Sequence, residues 1–148
     1  MKHRGSTFDL EQQRNDDLYR AYREQMKRAL TLQGFIAMPE VWQRTANSAT
    51  SRFWVSPDRA TIVIAAMLNG KSIASMRPPR QEMYREILKR VIELRKQHPH
   101  LPLHKIVHKA VLQPAPKFYL TPLSTKVIIC NIKKGWYAQR RTSQSKNT

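Results

Sequence analysis

Cysteine is nearly absent from this sequence: Cys130 is the only one, so no disulfide can form within the chain. There are only four glycines, and none belongs to a glycine-rich phosphate loop or a Gly-x-Ser-x-Gly motif. The longest apolar stretch, residues 60–68, is interrupted by Thr61 and is too short to cross a bilayer. No apolar run follows Met1, as a secretory signal would require. These absences predict a cytoplasmic protein with no cofactor and no enzymatic activity.

Acidic residues are also scarce, with 10 Asp and Glu against 27 Lys and Arg, a net charge of +17. A compact chain with this charge repels itself, and the usual compensation is a polyanion such as nucleic acid. Apolar residues make up 41% of the chain, which is enough for a packed core. The composition therefore predicts a folded, nucleic-acid-binding protein. Membrane binding is not expected, because the apolar helix faces are needed for the core.

The chain contains an internal repeat with a shift of 65 positions. Residues 52–57 (RFWVSP) match residues 117–122 (KFYLTP), and the match continues without a gap to Gly70 and Gly135. Four of these 19 aligned positions are identical. Such a repeat predicts two copies of one structural unit, and the differences between the copies then point to function.

Each repeat is predicted to form three helices. Apolar residues follow a helical period after Asp16 and again from Met83, and Gly34 and Pro99 are expected to end these first helices. Short second helices are predicted at residues 39–47 and 104–112. The third helices begin with Ser56-Pro57 and Thr121-Pro122, a capping residue followed by proline at the first helical position, and Gly70 and Gly135 close them. The aromatic pairs before these caps are expected to anchor the helix starts in the core.

The predicted fold is all-α, with two trihelical units in tandem. Its expected parts are an N-terminal arm at 1–15, a first repeat at 16–70, a basic linker at 71–80, a second repeat at 81–138 and a flexible basic tail at 139–148. The units resemble helix-turn-helix domains, although the loop before the third helix is longer than a tight turn, and a short strand pair is an open alternative there. This resemblance implies that the third helix lies in the major groove of DNA.

Charge is distributed unequally between the repeats. Residues 16–70 carry seven basic and five acidic groups, a net charge of +2, whereas the equivalent residues 81–135 carry eleven and three, a net charge of +8. Because both repeats share one fold pattern, the excess charge is not demanded by folding. We therefore expect the second repeat, the linker and the tail to face a polyanion.

The candidate nucleic-acid-binding residues are the polar and basic side chains of the third helices, their flanks, the linker and the tail. Arg59 is the candidate for guanine edges, while the lysines and the other arginines suit phosphates. The full set is Arg52, Arg59, Thr61, Arg77, Arg80, Lys117, Ser124, Lys126, Lys133, Lys134, Arg140 and Arg141.

Four histidines lie close together in the second repeat, namely His98, His100, His104 and His108. His104 and His108 are one helical turn apart, a spacing that can hold a metal, but no acidic residue lies between them and Cys130 has no cysteine partner. We expect no metal and interpret these histidines as a polar helix face or as phosphate contacts.

The resulting hypothesis is a duplex DNA-binding regulator of transcription, or an accessory factor of a chromosome, phage or mobile element, associated with the nucleoid. Two alternatives stay open. One is an RNA-binding or ribosome-associated protein, which would carry similar charge. The other is a structural or adaptor protein of a virion or nucleoid that forms a homodimer or binds a protein partner through the first repeat.

Overall fold

A computed structural model describes residues 2–135, and this part of the chain is helical, with no strand longer than a single bridge. The all-α prediction is therefore confirmed. The six helices are α1 (Lys2–Gln33), α2 (Met38–Ala46), α3 (Pro57–Leu68), α4 (Pro78–Gln97), α5 (Leu103–Val111) and α6 (Pro122–Lys133).

The starts and ends of α3 and α6 follow the predicted capping chemistry. The Ser56 hydroxyl accepts a hydrogen bond from the Arg59 N–H, and the Thr121 hydroxyl accepts one from the Ser124 N–H, both at 3.1 Å. Each hydroxyl satisfies one of the N–H groups that a helix start leaves without a partner. Beyond the other ends, Gly70 and Gly135 have φ of +84° and +74°, a conformation that glycine adopts without strain.

Two predicted boundaries differ from the structure. α1 begins at Lys2, so residues 2–15 belong to a helix and not to an arm. α4 begins at Pro78, with Arg77 as the residue before its first turn, so Arg77 and Arg80 lie at a helix start and not in a linker. Proline fits the first turn of a helix because its missing N–H would have no partner there. The predicted tail at 139–148 lies outside the described residues.

The helices group into two compact units that differ from the two sequence repeats. Within the described residues, one unit consists of residues 2–11 and 49–119 and contains α3, α4 and α5; the other consists of residues 12–48 and 120–135 and contains most of α1 together with α2 and α6. Within them, α5 packs against both α3 and α4, while α2 packs against α6. The third helix of each repeat therefore packs with the second helix of the other repeat, and the predicted tandem arrangement is not confirmed.

The segment between α2 and α3 explains this exchange. Thr50 and Ala115, which are equivalent positions of the repeat, form an antiparallel bridge in which each N–H donates to the other's carbonyl, at 3.0 and 2.9 Å. The Phe53 N–H also donates to the Val111 carbonyl at the end of α5, at 2.9 Å. Because these three hydrogen bonds join the segment to residues at and after the end of α5, α3 starts beside α5.

The α3–α4–α5 unit is built around Phe53. Its ring is fully buried among side chains of all three helices and stacks on Tyr119 at a centroid distance of 6.0 Å. The Arg90 guanidinium lies 5.2 Å from the Phe53 ring centroid and donates to the Gln113 side chain and the Pro114 carbonyl. The largest fully buried side chains around Phe53 are Ile64, Tyr84, Ile87, Val91, Ile106, Val107 and Val111. The predicted anchoring role of this aromatic residue is confirmed.

The α1–α2–α6 unit has an aromatic pair in its core. Tyr22 of α1 stacks on Trp42 of α2 at a centroid distance of 5.4 Å, with the rings 11° from parallel. From α6, Thr125 and Ile129 are fully buried, and the Thr125 hydroxyl donates to the Thr121 carbonyl. The buried polar group is thus satisfied within its own helix.

The packing of α3 with the second helix of the other repeat predicts which fragments of the chain fold alone. Residues 49–119 hold three helices that pack together, so this fragment should unfold cooperatively on heating when followed by circular dichroism. Residues 71–135 hold α4 and α5 without α3, and Phe53 is also missing, so this fragment should lack a cooperative transition. The opposite result, a stable 71–135 and an unfolded 49–119, would show that the repeats fold in tandem.

Candidate nucleic-acid interface

Two of the predicted basic contacts are only partly exposed and are engaged by other groups of the protein. The half-buried Arg52 side chain donates to the carbonyls of Phe53 and Val55, each at 3.0 Å, and lies 5.6 Å from the Trp54 ring centroid. Burial lowers the pKa of Arg52. Lys117 forms an ion pair with Glu82 and lies 5.8 Å from the Tyr119 ring centroid. These contacts explain both residues without a phosphate.

The two predicted hydroxyl contacts are used inside their own helices. The Thr61 hydroxyl donates to the Pro57 carbonyl one turn earlier, at 2.8 Å. The Ser124 side chain lies 3.0 Å from the Thr121 hydroxyl at the start of α6. Side chains engaged in this way compete with the backbone for hydrogen bonds and offer less to a ligand.

The three candidate lysines near the end of the described chain differ in their contacts. The Lys133 ammonium donates to the Tyr22 hydroxyl at 2.6 Å and lies 4.6 Å from its ring centroid. This hydrogen bond raises the pKa of Lys133. Lys126 and Lys134 are exposed, as expected for phosphate contacts.

The remaining predicted residues lie either at the starts of α3 and α4 or in the tail, which is outside the described residues. Arg59 and Arg80 are exposed at the starts of α3 and α4 and lie near the same buried side chain, Tyr84. Burial raises the pKa of the Tyr84 hydroxyl, and the charges of Arg80 and Arg59 oppose that shift. Arg77 is also exposed. Arg140 and Arg141 lie outside the described residues.

A second group of basic residues surrounds the four histidines of the second repeat, and its lysines and arginines are not among the predicted contacts. We use the name basic hairpin for residues 95–109, which comprise the last turn of α4, a short loop and most of α5. Its buried side chains include Ile106 and Val107, which pack in the core. Its outward side chains are all exposed: Arg95, Lys96, His98, His100, His104, Lys105, His108 and Lys109.

Acidic residues barely offset this charge. The Lys96 ammonium lies 4.0 Å from the Glu93 carboxylate, and the two side chains are 72% and 65% exposed. Surface pairs as exposed as this contribute little to stability. His108 lies 3.8 Å from Asp58 of α3. No Asp or Glu occurs between Glu93 and residue 148, and this acid-free stretch is the sequence signal that points to the basic hairpin.

The repeat supplies an internal comparison for α5. Its alignment pairs the outward positions 104, 105, 108 and 109 of α5 with Pro39, Glu40, Gln43 and Arg44 of α2, and all eight side chains are exposed. The two sets differ in formal charge, since Glu40 and Arg44 cancel whereas Lys105 and Lys109 add. The equivalent helix, α2, therefore folds with a neutral outward face. The repeat pattern gives no reason for folding to require the charge on α5.

The position of Lys105 within α5 supports the same conclusion. The N-terminal end of a helix carries partial positive charge and disfavours cations. The first turn of α5 has no acidic residue, and Lys105 and His104 lie there instead. The position of Lys105 is therefore unfavourable for the dipole of α5.

Other kinds of site receive no support from the described residues. Within residues 2–135, no group of three or more His, Cys, Asp and Glu side chains is arranged to hold a metal ion. None of the helices in this range combines the length and apolar character needed to cross a bilayer. Comparisons with protein-family models, curated proteins and solved structures found no match. The function is therefore inferred from the chain's own residues.

The contacts of Arg52 predict a structural role that can be separated from binding. Arg52→Ala removes two hydrogen bonds to carbonyls and a cation–π contact, so it should lower the free energy of unfolding by about 1–2 kcal/mol in urea titrations. Arg85→Ala is the matched control, since Arg85 is exposed on α4, and should change stability by less than about 0.5 kcal/mol. An Arg52→Ala protein as stable as the control would return Arg52 to the set of candidate phosphate contacts.

Proposed function

We propose that this protein binds nucleic acid, with duplex DNA as the favoured partner, and that the basic hairpin supplies phosphate contacts. The observation that carries the proposal is the comparison between α5 and α2. Two equivalent helices keep the same buried pattern, yet only α5 has an outward face made of histidine and lysine. Charge that folding does not need, in a site with few acidic neighbours, is what a polyanion would favour.

The charge of the surrounding unit supports this proposal. Residues 49–119 include thirteen Lys and Arg against four Asp and Glu, a net charge of +9. At physiological ionic strength, interactions between exposed charges are screened beyond about 8 Å, so the local density of cations decides the attraction to phosphates. The basic hairpin has four Lys and Arg and contains no acidic group.

The aromatic residues of the same unit favour a duplex over single-stranded RNA. Proteins that bind single-stranded RNA commonly stack its bases on exposed aromatic rings. In the α3–α4–α5 unit Phe53, Tyr84 and Phe118 are buried. The two half-buried rings are also engaged, since Trp54 donates to the Thr50 hydroxyl and Tyr119 stacks on Phe53. Rings held in this way are poor platforms for bases.

Binding by the basic hairpin predicts a charge-specific loss of affinity. Lys105→Gln/Lys109→Gln should weaken duplex DNA binding about tenfold near physiological salt and reduce the slope of log K against log salt by about 2, one unit for each lost phosphate contact. Fluorescence anisotropy of a labelled random-sequence duplex measures both quantities.

The matched control is Lys27→Gln/Arg28→Gln, which removes the same charge from exposed positions of α1. It should change affinity and slope much less. Equal losses in both variants would mean that only net charge matters and that the basic hairpin is not the interface. Competition of the bound duplex by structured RNA tests the RNA alternative, which is favoured if RNA displaces DNA at lower concentration.

A protein-binding role through the first repeat is the second candidate. Three apolar side chains near the end of α1 are more than half exposed, namely Leu30, Leu32 and Phe35. Apolar patches on a surface often mark contacts with a protein partner. Light scattering tests self-association: a dimer that Leu32→Ser/Phe35→Ser converts to a monomer would support this role, and a monomeric wild type would exclude the homodimer.

A further inference from the structure

We propose that protonation of the four histidines in the basic hairpin controls how tightly the protein binds nucleic acid, so that affinity rises as the pH falls. This inference rests on the proposed function, because it concerns the same surface. Four of the five histidines in the chain lie close together, between His98 and His108. Such clustering, on a surface already rich in lysine, is the observation that requires an explanation.

The histidines occupy the outer side of the basic hairpin. His98 and His100 lie in the loop after α4, and His104 and His108 lie one turn apart on the outward face of α5. All four are exposed. On α5 each histidine is followed by a lysine, and Lys105 stands three residues before His108. Side chains three residues apart are neighbours on a helix surface, so a phosphate bound by Lys105 would lie within reach of the His108 imidazole.

The charged groups around the histidines are mainly cationic. The last turn of α4 contributes Arg95 and Lys96, and α5 contributes Lys105 and Lys109. From α3, Asp58 approaches His108, with a distance of 3.8 Å between the Asp58 carboxylate oxygen and the imidazole nitrogen. On α4, the Glu93 carboxylate lies 4.0 Å from the Lys96 ammonium. Asp58 is therefore the one acidic group recorded in contact with any of the four histidines within the described residues.

These surroundings make phosphate a strong partner for the charged imidazoles. Histidine changes charge between about pH 5 and 8, and its protonated ring donates hydrogen bonds from both nitrogens. A bound phosphate favours the protonated imidazole, because it places negative charge beside the ring. Binding therefore takes up protons, and by reciprocity added protons strengthen binding. Each histidine that gains a phosphate contact steepens the salt slope by about 0.9.

The test compares binding of the full-length protein to one labelled duplex at about pH 6 and about pH 8, over a range of salt. We expect affinity at the lower pH to be at least about tenfold higher, with a salt slope steeper by about 2 to 4 units, as two to four new contacts would produce. Equal affinities and equal slopes at the two pH values would overturn the proposal. Loss of binding at both would instead overturn the proposed function, and the proposal with it.

Two variants separate the histidines from other titrating groups. The variant His98→Gln/His100→Gln/His104→Gln/His108→Gln should bind at both pH values as the wild type does at the higher one. Glutamine is a mild replacement, because Gln43 occupies the position of α2 that is equivalent to His108. Lys105→Gln/Lys109→Gln should weaken binding at both pH values and keep the pH difference. If the glutamine variant, shown to be folded by circular dichroism, retained the pH difference, the histidines would not be its source.

Discussion

The backbone pairing of Thr50 with Ala115 is the constraint on which the arrangement of the helices depends. Two hydrogen bonds join equivalent positions of the repeat, and a third joins Phe53 to the end of α5. Together they join the chain after α2 to residues at and after the end of α5, so that α3 starts beside the second helix of the other repeat. The Phe53 ring then enters the core of the α3–α4–α5 unit, and its burial stabilises that position. A tight turn at the same place would have given the tandem arrangement that the repeat suggests.

The secondary structure could be predicted from the sequence, whereas the pairing of the helices could not. Ser56-Pro57, Thr121-Pro122, Gly70 and Gly135 place the third helices correctly because capping depends on a few neighbouring residues. Which second helix a third helix packs against depends on the path of the intervening loop. Both second helices present similar buried positions, so the apolar pattern of α3 fits either. The sequence shows the length of this loop. It does not show that Thr50 of the loop pairs with Ala115, the equivalent position of the other repeat.

The candidate site, too, could be predicted from the sequence only in part. Charge asymmetry between the repeats indicates the second repeat, which contains the basic hairpin, whereas the individual candidates were predicted on the third helices, their flanks, the linker and the tail. The positive charge of Arg52, Lys117 and Lys133 is visible in the sequence, but their contacts with Phe53, Glu82 and Tyr22 depend on the fold. The outward residues of α5 lie on a short second helix, which in a helix-turn-helix domain braces the recognition helix. The sequence signal for the proposed surface is the acid-free stretch after Glu93.

The exchange of third helices also sets the order in which the molecule can be assembled during synthesis. Residues 49–119 are continuous, so α3, α4 and α5 can pack as soon as this stretch has left the ribosome. By contrast, α2 ends at Ala46 and waits for α6, which begins at Pro122. Contacts between residues far apart in sequence form slowly, because a long loop must close before they contribute. During this interval the face of α2 that packs against α6 is uncovered and open to chaperones or to a second nascent chain.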